Sequence, residues 1–474
     1  MLFNSLDFAV FFPIIFILYW FVFNKSVKVK IIFLLAASYF FYACWDWRFV
    51  FLIASVTLAN FYFAKAIAAY EGKKSRYVLA CIIIINLMVL GFFKYFNFFV
   101  ENFAVAFRLF GSEINVSSYS IILPLGISFY IFQNISYVTD VYRKHSEPSQ
   151  NLWSFSLFVA FFPMLVSGPI ERKNHLMPQI DRQRMFDYSR ASDGIRMILL
   201  GLFEKIVIAD YCGVIVQQIY SDYQTHTGST LFFNAVLYSF QIYGDFSGYS
   251  HIAIGCAALL GFSLRDNFNY PYLAKNIADF WRRWHISFSS WLRDYVYFPL
   301  GGSKKGGLIQ ARNLIVVFVV SGIWHGANWT FVIYGFIHAA LYILYVYYKK
   351  WIKPYKIFSS HRFAFLGNFC GIVGTFTVLT LARVFFKSVS VEQAFDYLAR
   401  IFTPSLFSKP NISRFLVLLL IGFIALEYLQ RHKRHLLDLS AIRWLPVRYM
   451  VYLTMLFMVF YYSGTSQTFI YFRF

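Results

Sequence analysis

Apolar runs close to the length of a membrane helix recur along the whole chain. A spanning helix needs roughly 20 mostly apolar residues, and several of these runs reach that length. Others are shorter or contain proline and polar residues, which is typical of segments that enter the bilayer and return. The pattern predicts an all-α integral membrane protein, a polytopic helical bundle of roughly eleven to thirteen transmembrane or re-entrant segments. The runs cover residues 6–24, 31–45, 49–70, 77–100, 121–141, 151–170, 195–220, 230–262, 313–325, 327–348, 363–386, 414–429 and 447–463.

The composition agrees with this interpretation. Hydrophobic residues make up 59% of the 474-residue chain and charged residues 14%, whereas soluble domains average roughly 45–50% and 25%. No repeat or linker divides the chain, so we expect one domain over residues 1–474. The N-terminal run has neither a basic segment nor a small-residue cleavage site, and we expect it to be the first helix, not a signal peptide. The five cysteines lack Cys-x-x-Cys spacing and are expected to act as small hydrophobic residues.

The basic residues predict an orientation in the membrane. The net charge of +21 would suggest nucleic acid in a soluble protein. Here the basic residues lie mostly in short loops, as expected for loops that face an anionic inner leaflet. Such loops could also bind an anionic substrate such as a nucleotide-bearing cofactor. If successive runs cross the membrane in alternating directions and the basic loops lie inside, the N-terminus and the C-terminus lie outside. The basic segment 171–184 then lies inside only if run 151–170 enters the membrane and returns on the same side. The basic loops are 24–30, 71–76, 142–147, 263–312, 348–356 and 431–435; the others are 44–48, 111–118 and 221–230.

The long loop 263–312 is expected on the inner side and carries an aromatic pattern. Four aromatic residues recur at i, i+3, i+7 and i+10, namely Trp281, Trp284, Phe288 and Trp291. A different face carries Arg282, Ser289 and Arg293. This spacing predicts one amphipathic helix at the inner membrane surface, with the aromatic rings toward lipid or protein and the arginines toward phosphates. The glycines at 301–307 follow it but do not form a P-loop motif.

His325 lies inside an apolar run between two tryptophans. It follows Arg312, at the inner surface, by about a dozen residues, or about 18 Å at roughly 1.5 Å per residue; this is past the midplane of a ~30 Å core. Gly322 and Gly326 permit close helix packing or a helix break. A neutral imidazole there could act as a general base toward a hydroxyl. A hydrogen-bonded packing histidine fits the same pattern equally well.

His285 lies beside three arginines in the loop 263–312. Cationic neighbours favour the neutral form of a histidine, so His285 is a second candidate for catalysis or for handling an acyl donor. The alternative is an interfacial polar residue of an amphipathic helix.

Segment 243–255 puts polar residues inside another apolar run. Asp245 and Tyr249 are four residues apart, as are Ser247 and His251, so each pair shares a helix face. These residues either line a polar passage or make hydrogen bonds between helices, and the second interpretation is slightly favoured.

Run 121–141 predicts an irregular, tunnel-lining helix, because Pro124 and Gly126 interrupt it and polar residues follow; structural roles would also explain most of these residues. We find no His-Glu-x-x-His pair, Gly-x-Ser-x-Gly elbow or Walker loop. His338 follows His325 by thirteen residues without a nearby carboxylate, so the sequence predicts no metal site.

Seven segments together resemble the motifs of the membrane-bound O-acyltransferase family, and in particular its alginate O-acetyltransferase branch. They occur in the expected order and cover nearly the whole chain. They are LPLGISFYIFQ (123–133), SGPIER (167–172), YGDFSGYSHIAIG (243–255), FWRRWHISFSSWLRDYVYFPLGG (280–302), RNL (312–314), SGIWHGANWTFVIYGFIHA (321–339) and ARVFFKS (382–388).

The resemblance implies a helical bundle around a central tunnel, open to the cytoplasm on one side and to an outer funnel on the other. It implies that His325, of the Trp-His-Gly motif, is catalytic and that His285, of the Arg-Trp-His segment, is the second functional histidine. No metal and no bound cofactor are implied. Further substrate or tunnel candidates in the matching motifs are Trp324, Asn328, Trp281, Arg282, Arg283, Trp291, Tyr243, Asp245 and Ser247.

The resemblance also implies a function. A cytosolic donor, acetyl-CoA or another short acyl-CoA, would meet the basic inner face, and His325 would act as general base toward a hydroxyl. The acceptor would be a periplasmic or extracellular partner protein, often through a serine, or a cell-surface polysaccharide, as in alginate or other exopolysaccharide O-acetylation. The turn 300–307 fits this branch better than teichoic acid D-alanylation. The protein would be a multi-pass protein of the bacterial inner membrane, in contact with lipid and not with nucleic acid.

Two other function classes account for parts of the same pattern. A transporter or flippase also needs polar intramembrane residues and broken helices. However, the sequence contains no inverted repeat, and the aromatic and arginine cluster at 281–297 is unlike a permeation path. A structural scaffold would leave His325 unexplained.

Overall fold

The computed structural model describes residues 1–109, 121–304, 306–352, 364–465, 467 and 469–470. Within these ranges the chain is helical and contains no strand, which confirms the all-α prediction. Six of the described helices are long and apolar enough to cross a membrane, and a shorter apolar segment covers Leu6–Val22. The loop 111–118 and part of the loop 348–356 lie outside the described residues.

The chain forms two compact units, residues 1–198 with 252–265 and residues 199–251 with 266–474. The prediction of a single domain stays a prediction. The first unit contains α1 (Leu6–Ile17), α2 (Val27–Ala43), α3 (Arg48–Ala69), α4 (Gly72–Leu109), α5 (Ile127–Tyr142), α6 (Leu152–Ala160), α7 (Phe162–Leu165), α8 (Lys173–Ile180) and most of α9 (Tyr188–Leu202). The second contains α10 (Tyr211–Ser221), most of α11 (Gly228–Leu259), α12 (Ile277–Arg283), α13 (Ile286–Leu292), α14 (Gly307–His325), α15 (Trp329–Tyr347), α16 (Ala364–Lys387), α17 (Val391–Ile401), α18 (Arg414–Gln430) and α19 (Leu445–Tyr462).

Two features of the first unit match the irregular runs of the sequence. Run 121–141 becomes helical only at Ile127, because Gly126 before it has a left-handed backbone, with φ of 69°. Run 151–170 is divided into α6 and α7 with Phe161 between them. The nine residues of α6 rise only about 14 Å, so this helix is too short to cross a ~30 Å hydrocarbon core.

In the second unit, α14 and α15 pack closely through glycines. A Cβ atom on Gly322 would lie 2.2 Å from the carbonyl oxygen of Phe331, and one on Gly335 would lie 2.3 Å from that of Phe318. α14 ends at His325, and Gly326 after it is extended. Both roles expected of the flanking glycines, close packing and helix termination, therefore occur at this site.

The prediction of one continuous amphipathic helix over residues 281–293 is wrong. The helix ends at Arg283, and a new one starts at Ile286, because His285 adopts a left-handed conformation with φ of 44° and ψ of 55°. The cause is a second backbone partner. The carbonyl of Asn267 accepts a hydrogen bond from the N–H of Ile286, at 2.9 Å, so this N–H does not continue the helical ladder.

Candidate active site

His325 is the last residue of α14 and is 5% exposed. Its ring is enclosed by aromatic residues from four helices. The ring centroid lies 4.9 Å from Trp324, 5.0 Å from Phe386 of α16 and 6.3 Å from Tyr334 of α15. The carbonyl end of α14 carries the negative pole of the helix dipole, which favours a positive charge on this ring.

The structure brings the two predicted histidines to the same pair of aromatic rings. Trp324 and Phe288 stack with centroids 4.2 Å apart. His285 contacts both, at 4.9 Å from Phe288 and 5.7 Å from Trp324. His325 contacts the same two rings, at 6.3 Å and 4.9 Å. The sequence predicted each histidine separately, and the fold makes them one site.

Hydrogen bonding determines the tautomer of His285. Nδ1 lies 3.1 Å from Oδ1 of Asn267, and this oxygen also accepts hydrogen bonds from the N–H and the hydroxyl of Ser287. An amide oxygen only accepts, so Nδ1 of His285 donates and the lone pair of the neutral ring is on Nε2. Burial holds the pKa of His285 well below its usual value. The sequence attributed a neutral ring to the neighbouring arginines; the cause is burial.

A cavity of about 790 Å³ opens beside the short helices α12 and α13. Arg282, Ser289 and Arg293, the predicted polar face, line it together even though the helix is broken, and Trp281 of the predicted aromatic face lines it with them. Lys349 and Lys350 supply further positive charge, and none of the described lining residues is acidic. The size is that of a small-molecule site, and the charge suits an anionic ligand.

Three candidates from the sequence have structural partners instead of a place in this cavity. The amide of Asn328 caps α15 by accepting from the N–H of Thr330 and donates to the carbonyl of Val389, both at 2.9 Å. Arg283 pairs with Asp279 at 3.0 Å. Trp291 is buried against Tyr295.

The candidates of segment 243–255 lie on α11, and two of them make hydrogen bonds with other elements. The hydroxyl of Tyr243 donates to Glu427 at 2.5 Å, and Asp245 forms an ion pair with Lys205 at 2.8 Å. Ser247 is fully buried. These contacts match the favoured interpretation, hydrogen bonding between helices. Phe246, which the sequence did not single out, touches the ring of His285 with centroids 4.6 Å apart.

Three residues that contact the two histidines were not predicted from the sequence: Phe288, Phe386 and Asn267. Phenylalanine is common in apolar segments, so neither of the two phenylalanines stands out. Phe288 was assigned to a lipid- or core-facing stripe, and Phe386 was part of a motif without a role. Asn267 carried no signal, since it lies in an irregular segment before α12.

The chain is similar in sequence to known membrane-bound O-acyltransferases over most of its length. A sequence model of the membrane-bound O-acyltransferase family matches residues 143–387, just over half of the chain. The chain is 40% identical over 316 residues to a probable alginate O-acetylase AlgI of Azotobacter vinelandii, which covers 66% of this chain and 63% of that protein. It is 35% identical over 400 residues to the probable alginate O-acetylase AlgI of Pseudomonas aeruginosa (84% of this chain, 74% of that protein). It is 35% identical over 397 residues to a peptidoglycan O-acetyltransferase of Helicobacter pylori (77% and 72%).

Proposed function

The chain belongs to the membrane-bound O-acyltransferase family, and from this premise we propose that it moves a short acyl group, most simply acetyl, from a cytosolic thioester donor to a hydroxyl outside the membrane. It is a multi-pass membrane protein. The observation that carries the proposal is the pair of buried histidines, His285 and His325, which share the rings of Phe288 and Trp324.

We assign the donor to the cavity beside α12 and α13. A coenzyme A thioester has phosphates at one end and an uncharged arm at the other. The four cationic residues of the lining, which are Arg282, Arg293, Lys349 and Lys350, suit the phosphates, and the aromatic wall at Trp281 suits the arm. The predicted inside location of this loop puts the cavity on the side where acyl-CoA is made.

We assign proton transfer to His325. Its imidazole takes the proton of the acceptor hydroxyl as the hydroxyl oxygen attacks the thioester carbon. The tetrahedral intermediate then expels the thiolate, which takes the proton from the imidazolium, so that thioester and alcohol become ester and thiol. His285 stays neutral, and its Nε2 lone pair accepts a hydrogen bond from a reactant.

We propose a cell-surface polysaccharide as the final acceptor, reached directly or through a serine of a periplasmic partner. Support comes from relatives whose names refer to alginate and to peptidoglycan. A location in the bacterial inner membrane with the N-terminus outside belongs to the same proposal. Cysteines placed in 222–229 and in 303–308 of a variant without its five native cysteines test the orientation; the first should react from outside and the second only from inside.

Acyl transfer itself is the direct test. The detergent-purified protein is given radiolabelled acetyl-CoA with membranes or extracts of the host as acceptor source, and label is followed into polysaccharide and protein. We expect His325→Ala to reduce transfer by about 10²–10⁴-fold, because a general base contributes that factor. His432→Ala, at an exposed histidine outside the site, is the matched control and should transfer normally. Full transfer by His325→Ala contradicts the assignment, and a wild-type protein that moves no label favours the transporter.

A further inference from the structure

Arg383 of α16 is a cation enclosed by aromatic rings in the interior of the second unit. Its side chain is 2% exposed. The guanidinium carbon lies 5.0 Å from the ring centroid of Tyr272, 5.1 Å from that of Trp284 and 5.6 Å from that of Phe280. Such cation–π contacts stabilise the charge but leave the N–H groups of the guanidinium to find acceptors elsewhere.

Five buried polar atoms around this guanidinium have no hydrogen-bond partner among the described residues. Neither Nη1 nor Nη2 of Arg383 has a hydrogen-bond partner among the described residues, and the same holds for both ring nitrogens of His338 and for Nε1 of Trp281. The ring of Trp281 lies 5.2 Å from that of His338, on which the charge of Arg383 also acts. More than nine in ten buried polar groups in proteins are paired. A cluster of five such atoms, at least four of which are donors, suits a ligand that accepts hydrogen bonds.

The cluster lies between the donor cavity and His325. Trp281 belongs to the cavity wall and touches His338. His338 in turn contacts Tyr334 at 4.4 Å, and Tyr334 contacts His325 at 6.3 Å.

Arg383 also connects to His325 along α16. It precedes Phe386 by three residues, so the two share a helix face and lie about 4.5 Å apart along the axis. Phe386 touches the ring of His325 at 5.0 Å. Arg383 is therefore attached about one helical turn from the residue that contacts the candidate base.

We propose that Arg383 is the residue that binds the carbonyl oxygen of the donor thioester. This rests on the proposed acyl transfer and adds the group that polarises the bond under attack. As the hydroxyl oxygen bonds to the carbonyl carbon, the π electrons move to the carbonyl oxygen, and the guanidinium pairs with the resulting oxyanion. A buried cation that pairs with no carboxylate of the described residues is effective here because little solvent screens it. When the oxyanion collapses, the electrons return and the C–S bond breaks.

Two non-reactive analogues of acetyl-CoA separate this role from a purely structural one. One replaces the thioester sulfur by CH2 and keeps the carbonyl as a ketone; the other, S-ethyl-CoA, has no carbonyl. Wild-type protein should bind the ketone roughly tenfold to a hundredfold more tightly, the value of a hydrogen bond to a charged group. Arg383→Met should bind both analogues equally, with affinity for S-ethyl-CoA unchanged. Arg400→Met, at an arginine paired with Asp396 on α17, is the matched control and should keep the preference.

A measurement on the wild type tests the proposal even if Arg383→Met does not fold. The carbonyl stretch of the ¹³C-labelled ketone should move to lower frequency on binding, and an unshifted stretch overturns the proposal. The proposal is also overturned if Arg383→Met keeps the preference for the ketone, or if it loses affinity for both analogues to the same degree. In both cases the assignment of the donor to the cavity beside α12 and α13 stands. If the wild type binds neither analogue, the donor assignment fails and the role of Arg383 fails with it.

Discussion

Asn267 accepts a hydrogen bond from His285, with 3.1 Å between Oδ1 and Nδ1. The same oxygen accepts from Ser287, and the amide nitrogen donates to Ser250 at 3.3 Å, so the orientation of the amide is determined from both ends. An uncharged acceptor at this position keeps His285 in one neutral tautomer. The hydrogen bond therefore determines which ring nitrogen of His285 carries the proton, in addition to holding the two side chains in contact.

Asn267→Asp should change the pH dependence of acyl transfer. A carboxylate beside Nδ1 raises the pKa of His285, so the ring is protonated at neutral pH and Nε2 changes from acceptor to donor. In the wild type burial holds this pKa low, so the ring stays neutral as pH rises from 6 to 9. We expect kcat/KM of the variant to rise with pH over this range, relative to the wild type.

Asn267→Ala is the companion variant for that experiment. It removes the partner without adding charge, so it should lower kcat/KM by about 10–100-fold at every pH, the usual effect of losing a positioning partner. Identical profiles for the Asp variant and the wild type would show that the ionisation of His285 is irrelevant to transfer.

The backbone of His285 makes a second prediction. With φ of 44° the residue is left-handed, a conformation that costs a residue with a Cβ about 1–2 kcal/mol and costs glycine nothing. Both His285→Gly and His285→Ala lose the ring, yet the Gly variant should unfold at the higher temperature in detergent. At Ser290, inside α13, the order should be the usual one, with Ala more stable than Gly. An Ala variant of His285 that is the more stable of the two would contradict this backbone conformation.

The helices could be predicted from the sequence because the length and period of an apolar run are local properties. The runs 49–70, 230–262, 313–325 and 327–348, for example, correspond to α3, α11, α14 and α15. The break at His285 could not be predicted, because the hydrophobic spacing continues through it. It depends on hydrogen bonds to Asn267, eighteen residues earlier in the chain.

The chemistry of the site was partly visible for a similar reason. His325 and His285 stand out as polar residues in apolar or aromatic surroundings. Asn328 stands out equally but caps a helix, and only the fold tells the two cases apart. Arg383 gave no signal beyond its motif, because its three aromatic neighbours come from segments about one hundred residues earlier in the chain.

The contact between α14 and α15 gives a third prediction. Because a Cβ on Gly322 would lie 2.2 Å from the carbonyl oxygen of Phe331, Gly322→Ala must push the two helices apart and displace His325. We expect a severalfold loss of monodisperse protein on gel filtration and reduced transfer by what remains. Gly374→Ala on α16 is the matched control, since no described atom beyond the neighbouring backbone of its own helix lies within 4 Å of the position that its methyl group would take, and it should behave as wild type. Normal yield and activity of Gly322→Ala would disprove the close approach.

The buried ion cluster around Lys205 leads to the last prediction. Lys205 is 0% exposed, and its Nζ lies 2.6 Å from Asp210 and 2.8 Å from Asp245. Asp245 also accepts a hydrogen bond from the N–H of Ile470, at 2.7 Å, so the cluster attaches the C-terminal segment to α11. Asp245 thus has a structural explanation that does not require a substrate.

Charge balance decides how the cluster responds to mutation. Lys205→Met leaves two carboxylates buried without their cation and should destabilise the protein by about 3–5 kcal/mol, seen as a lower unfolding temperature in detergent. Adding Asp210→Asn and Asp245→Asn to Lys205→Met removes the uncompensated charge, and most of the lost stability should return. If the triple variant is stable and still transfers acyl groups, Asp245 acts through structure. A stable triple variant without activity would instead show that the charged groups of this cluster are needed for the reaction, beyond their contribution to stability.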